Sequence, residues 1–182
     1  MVLLDYQVKQ VTTTRVVTRH RTQTKLSDTY KETTDMSVEQ NKAIARRLFE
    51  SVAAGAETAL DELLAPDFVA HQPGTSTLLG VEQLSREEFL QALRASNAAF
   101  SDQQYTIEDQ VAEGDRVTTR VSWRATHSGD FQGVPATGER VVGGGIAIER
   151  IKDGKIAERW AQPDRLGLMQ QLGIVPSPGQ SG

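Results

Sequence analysis

Two histidines, an aspartate and one Glu/Arg couple are the side chains whose type and setting suit proton chemistry on a small molecule. His71 closes a short apolar stretch, Phe68-Val69-Ala70. Its imidazole either points into a pocket as an acid–base group or is held at the surface by a hydrogen bond. His127 shares alternating parity with Val117, Val121 and Trp123, yet adjoins Ser128-Gly129-Asp130, a turn that can leave it solvated. Asp164 follows Pro163 and precedes Leu166-Gly167-Leu168. It either caps a last helix or offers a carboxylate at a pocket mouth. Glu149 and Arg159 lie at diagonal reach on neighbouring predicted strands. They form either a structural ion pair or two polar anchors, with Arg159 holding an anionic or carbonyl oxygen.

Other chemistries find less support. With His20 the histidines number three, scattered without metal-ligand spacing. There is no cysteine, which excludes thiolate nucleophiles, disulfides and thiolate metal sites. Gly143-Gly144-Gly145 lies inside a strand pattern and opens no helix, so it is not a phosphate loop. No serine stands in a nucleophile-elbow pattern. No metal or organic cofactor is predicted.

These groups need elements to hold them. Ser37 with Gln40 reads as a capping box opening a helix through Ile44, Leu48 and Val52, which Gly55 ends. A shorter helix is predicted from Thr58 to Leu64, stopped by Pro66, and Phe68–His71 reads as extended. After a Gly/Thr/Ser loop, Ser85 and Glu88 form a second capping box before Phe89, Leu90 and Leu93. From residue 103 the period becomes two, giving strands around 105–111, 116–127, 139–151 and 155–162, then a short helix from Leu166 to Leu172. Helices first and antiparallel strands after predict an α+β fold, with the helices on one face of a curved sheet.

The register of the last hairpin decides which side chains share a face. A two-residue Asp153-Gly154 loop sets Glu149 against Glu158. A three-residue loop over 152–154 pairs Glu149 with Ala157 and avoids that like-charge contact, so it is the register expected. It gathers Val142, Ile146, Ile148, Ile156 and Trp160 on one apolar face, which needs covering and suggests a subunit interface. The other face carries Gly143, Gly145, Ala147, Glu149, Ala157, Arg159 and Ala161. So small a surface either packs tightly on a helix or leaves a cavity. Trp123 and Trp160 serve in packing or stack on a ligand, packing being the simpler role.

The run Thr126-His127-Ser128-Gly129-Asp130-Phe131-Gln132-Gly133-Val134-Pro135-Ala136-Thr137-Gly138 resembles the T-H-x-G-x-F-x-G-x-P-x-T-G pattern of the SnoaL-like polyketide cyclases, in the nuclear transport factor 2-like superfamily. Arg150-Ile151-Lys152-Asp153-Gly154-Lys155-Ile156, Glu158-Arg159-Trp160, Asp164 and Gln170-Gln171-Leu172-Gly173 continue the likeness, which covers roughly residues 38–174. The resemblance implies a cone-shaped half-barrel of antiparallel sheet with the N-terminal helices on its concave face, a homodimer or higher homo-oligomer. It also implies a pocket for a hydrophobic, oxygenated small molecule and cofactor-independent acid–base catalysis of the cyclase, isomerase or hydrolase type, aldol ring closure being the reaction of the family's cyclases. On that reading His71, His127 and Asp164 are the candidate catalytic residues. Glu149, Arg159, Trp123, Gly145, Ala147 and Ala161 are the candidate substrate-binding ones. The chain departs from the resemblance where the cyclases carry an acid–base His and Asp, at the positions of Ala147 and Ala161. Neither alanine can move a proton, so the alternative is a non-catalytic ligand-binding or assembly domain.

Composition sets the outer limits. The chain has 182 residues, 38% hydrophobic and 24% charged, ordinary for a globular domain. The net charge of −4 argues against nucleic acid as a partner. Residues 1–35 hold six basic and four acidic side chains and many threonines, and read as an extended or disordered arm. A domain over 36–176 and a flexible tail over 177–182 follow. No apolar run approaches the roughly 20 residues that span a bilayer, and no secretory leader is recognisable, so a cytoplasmic location and no membrane contact are expected.

Overall fold

The computed structural model describes residues 37–71 and 83–177. The expected N-terminal arm, the loop after His71 and the end of the C-terminal tail lie outside the described residues. Helix α1, Val38–Ala54, begins as the sequence demands: Ser37 Oγ accepts from the Gln40 N–H and the Gln40 side chain accepts from the Ser37 N–H. Gly55 ends it at φ 61°, a left-handed turn that glycine enters without strain. Helix α2, Glu57–Leu63, runs straight into strand β1, Leu64–His71. Pro66 therefore sits inside a strand, where the sequence suggested it would stop a helix. Strand β2, Gln83–Ser85, was not foreseen. Helix α3, Arg86–Ala99, again carries its capping box, Ser85 with Glu88. Strands β3 (Phe100–Glu113), β4 (Arg116–His127), β5 (Arg140–Lys152) and β6 (Lys155–Pro163) follow, then helix α4, Arg165–Gln171.

The strands form one open, curved sheet in the order β2-β1-β6-β5-β4-β3. It is mixed: β1 runs parallel to β6, and the other neighbours are antiparallel. The expected all-antiparallel sheet is thus corrected at one strand. β1 and β6 are far apart in sequence and need no hairpin, so a parallel pairing is open to them.

The last hairpin also differs from expectation. Lys152 pairs with Lys155 and Ile151 with Ile156, so the loop is the two-residue Asp153-Gly154 turn. Both residues have positive φ, 51° and 75°, as a primed hairpin turn requires. A register shift then falls between Arg150 and Ile151, beyond which Arg150 faces Glu158 and Glu149 faces Arg159. The bulge, rather than a longer loop, separates the two glutamates. It restores the expected parity from Glu149 outward, but turns Ile156 to the inner side, where it is fully buried with Ile151.

Helix α1 lies on the inner face. Ile44, Ala45, Leu48 and Val52 join Val117, Ile151, Ile156, Phe68 and Ala70 of the sheet and Phe89 and Leu90 of α3 in the main core. Burying a side chain such as Leu48 or Phe68 contributes about 1.5–3 kcal/mol. A second apolar cluster of Ala99, Phe100, Ala125, Val141 and Leu172 closes the far end, with Trp123 and Phe131 against it. On the outer face Val142 and Ile146 stay 60% and 50% exposed.

Candidate active site

The cross-strand pairs lay out the inner face in rows. Val117, Glu149, Arg159 and Ala70 form one row across β4, β5, β6 and β1. The next holds Thr119, Ala147 and Ala161, then come Val121 with Gly145, and Trp123 with Gly143. From β3, Gln110 adjoins Thr119 and Tyr105 adjoins Trp123. Ala147 and Ala161 thus directly face one another beside the Glu149–Arg159 pair. The expected small-residue face is real.

Glu149 is fully buried, and its Oε1 accepts a hydrogen bond from Arg159 Nη1. Burial pushes its carboxyl above the usual carboxylate range, because desolvation outweighs the pull of the Arg159 charge. The pair is not saturated: Glu149 Oε2 and Arg159 Nε are both buried and lack a hydrogen-bond partner. The Arg159 guanidinium lies 5.2 Å from the ring centre of Phe49 on α1. Phe49 in turn packs on Tyr105, ring centres 5.8 Å apart. Burial pushes the Tyr105 phenol up to about 12, with the Arg159 charge pulling the other way. Tyr105 therefore stays protonated near neutrality and can only donate or accept a hydrogen bond. Beside them, Gln110 Nε2 donates to the buried Thr119 Oγ1 over 3.1 Å.

The other candidates are dispersed. β1 turns Ala70 inward opposite Arg159, which sends His71 outward with Trp160. There its ring stacks on the indole at 5.1 Å and 3°, and Nε2 lies 2.9 Å from Glu158 Oε1. The hydrogen-bonded alternative for His71 therefore holds in place of the pocket one. His127 is fully buried, not solvated, under the loop that returns to β5. Thr137 N–H and Oγ1 lie 3.4 and 3.1 Å from its Nδ1, leaving the proton on Nε2, a buried atom without a partner. Asp164 caps α4, accepting from the Gly167 N–H over 2.9 Å. Trp123 packs edge-on to Phe100 at 5.3 Å and donates Nε1–H to Gln103 Oε1. At Gly145 a Cβ would lie 2.8 Å from the Gln162 carbonyl oxygen, so the missing side chain lets the β6 backbone approach.

Sequence reasoning overlooked Phe49 and Tyr105. Counted back from the β3–β4 turn, an even ladder sets Tyr105 opposite Arg124 on the outer side; the register shift between Ile107 and Asp109 sets it opposite Trp123 instead. The glycine in the His127 motif also gains a reason. A Cβ on Gly129 would lie 2.2 Å from the Ala98 carbonyl oxygen, and the Gly129 N–H donates to Ala99 O over 3.0 Å. Among the described residues no three His, Asp or Glu side chains gather as a metal site.

Comparison with known proteins agrees with this architecture. The family model of the SnoaL-like polyketide cyclases matches residues 42–172. The chain is 34% identical over 145 residues to the aklanonic acid methyl ester cyclase DauD of Streptomyces sp. (strain C5), covering 76% of this chain and 84% of that one. It is 30% identical over 124 residues to the nogalonic acid methyl ester cyclase of Streptomyces nogalater, covering 68% and 89%. The solved structure of IdmH from Streptomyces antibioticus superposes with a TM-score of 0.66 at 36% identity, over 74% of this chain and 99% of that one. AclR from Streptomyces galilaeus does so with a TM-score of 0.71 at 26% identity, over 79% and 87%. By sequence, by motif and by fold, this chain belongs to the SnoaL-like polyketide cyclase family.

Proposed function

We propose that this protein is a cofactor-independent, cyclase-like enzyme that closes a ring in a hydrophobic, oxygenated small molecule on the inner face of its sheet. The observation that carries the reading is a buried Glu149–Arg159 pair with unused polar atoms, set beside the Ala147/Ala161 row in a chain of this family. Ring closure of the aldol kind breaks an acidic C–H bond, forms a C–C bond and protonates the resulting alkoxide. It therefore needs a base and a donor to the developing oxyanion. Arg159 suits the second task, since its guanidinium presents several N–H donors and its buried Nε has no partner. Among the described residues, His127 is the histidine on the inner face; His71 and Asp164 are engaged elsewhere and have no part in this proposal. The non-catalytic alternative is not favoured, since the residues lost at 147 and 161 sit beside titratable groups that a binding module has no need to bury.

The first compounds to test are the methyl esters of aklanonic and nogalonic acids, after which the relatives are named. Turnover should give a product of unchanged mass, and Arg159→Leu should lower kcat/KM by about 10²-fold or more, as loss of an oxyanion donor does. Failure of the wild-type protein to bind or convert either ester sinks the reading.

We also propose that the outer face is covered by a second copy of the chain. Val142 and Ile146 are exposed there, between a basic row on β4 (Arg116, Arg120, Arg124) and Trp160 on β6. The adjoining β3 carries Glu108, Asp109 and Glu113, so two copies related by a two-fold axis can set acidic rows on basic ones. No described helix is long and apolar enough to cross a membrane.

A further inference from the structure

We propose that the site takes an anionic oxygen, a carboxylate or the enolate of an acidic carbonyl compound, on Arg159, and that Glu149 takes up one proton as it binds. This rests on the small-molecule reading above and names the class of ligand and the proton's place.

The argument begins with what surrounds the pair. Glu149 has no exposed side-chain surface and Arg159 only 12%. From β4 the pair faces Val117 and Thr119, from β1 Ala70, and from β3 Tyr105, whose phenol is neutral. From α1 it faces Phe49, with Ala45 and Leu48 in the same core. Of the α1 cations, Lys42 bonds Glu39 at 3.1 Å, Arg46 bonds Gln110 at 3.1 Å, and Arg47 is exposed. Arg159 is the cation in direct contact with Glu149, and so the one that an anion entering beside that carboxylate would meet.

Two anions cannot share one guanidinium where water is excluded. When a ligand oxygen claims Arg159, the like charge makes ionised Glu149 unfavourable, and its carboxyl protonates. The unpartnered atoms then find a use. Oε1 keeps the bond from Nη1, a proton on Oε2 turns that orphaned acceptor into a donor to the ligand, and Arg159 Nε gains an acceptor. If the ligand arrives ionised, the proton comes from solvent. If it arrives as the neutral acid, its own O–H or C–H bond breaks and the O–H bond on Oε2 forms. Burial, which already raises the Glu149 carboxyl, works in the same direction.

Calorimetry on the whole protein decides the matter, with 2-naphthoate as the anionic probe and 2-naphthamide as its neutral counterpart. Titrations run from pH 5 to 9 in phosphate and in Tris, whose ionisation enthalpies differ, so that protons exchanged on binding are counted. The wild-type protein should take up as much as one proton with 2-naphthoate somewhere in that range. Within that window its Kd should rise about tenfold per pH unit, and flatten on either side of it, while 2-naphthamide binds without uptake. Glu149→Gln, which keeps an acceptor for Arg159, should abolish the uptake and flatten the pH dependence. Binding of 2-naphthoate with no uptake at any pH overturns the inference and leaves the small-molecule reading intact, as does unchanged uptake by E149Q. Binding of neither probe overturns both.

Discussion

Glu149 and Glu158 are two carboxylates on adjacent strands whose surroundings push them in opposite directions. Glu149 is raised by burial; Glu158 is lowered, first by its hydrogen bond with His71 and then by Arg150. The signs follow from linkage. A carboxyl raised above its ordinary value of about 4.5 lends stability at low pH that is lost as pH climbs from that value through the folded one. A lowered carboxyl lends stability above the ordinary range that is lost as pH falls through its folded value. Melting temperature followed from pH 3 to 8 should therefore show two separable limbs. Glu149→Gln should remove the decline on the neutral side. His71→Phe, which keeps a ring against Trp160, should shrink the loss on the acid side. That second limb is the smaller, because the Glu158 side chain is a quarter exposed and water screens it. An unchanged neutral limb in E149Q would place the titrating group elsewhere.

Caps, turns and glycines decide the elements. Both capping boxes stand where the sequence put them, since they need only residues three apart. Ser37→Ala should cost about 1 kcal/mol of unfolding free energy, readable as a shift in the denaturant midpoint at constant slope. The triple glycine of β5 sorts less evenly. At Gly145 a Cβ meets backbone, Gln162 O at 2.8 Å and Pro163 Cα at 3.0 Å, whereas at Gly143 its nearest neighbour is Trp123 Cε3 at an ordinary 3.5 Å. Gly145→Ala should destabilise by about 1–3 kcal/mol as overpacking does. Gly143→Ala should stay within about 0.5 kcal/mol, so equal losses in the two variants would contradict this account. The same strand pair shows why the hairpin register was misread. Avoiding the Glu149–Glu158 contact was the right constraint, but a bulge met it inside β6 and kept the Asp-Gly turn. Bulges leave no mark in a periodicity of two.

At the scale of the molecule, the outer face is the feature left over once the core is counted. Val142 and Ile146 are among the large hydrophobic residues left exposed, and each lies on β5 in the middle of the sheet. If a second copy covers them, Ile146→Lys should shift the sedimentation coefficient from dimer to monomer while leaving most of the melting temperature in place. A wild-type protein that sediments as a monomer at tens of micromolar would contradict the proposal.

What the sequence determined by itself was local or periodic: the capped helices, the strand 116–127, the alternation that put Gly143, Ala147 and Glu149 on one side, and the motif around His127 that marks the family. Each rests on residues a few positions apart or on a steady repeat, so one chain read in order suffices. What only the tertiary structure decided depends on pairings between distant segments. β1 lies parallel to β6, and its register there, Ala70 beside Arg159 and His71 beside Trp160, turned His71 outward and Ala70 inward. The bulge brought Glu149 opposite Arg159, and α1 laid Phe49 and, behind it, Tyr105 against that pair. Burial gives the pair its chemistry, and burial is a property of everything packed around two side chains, which no spacing along the chain records.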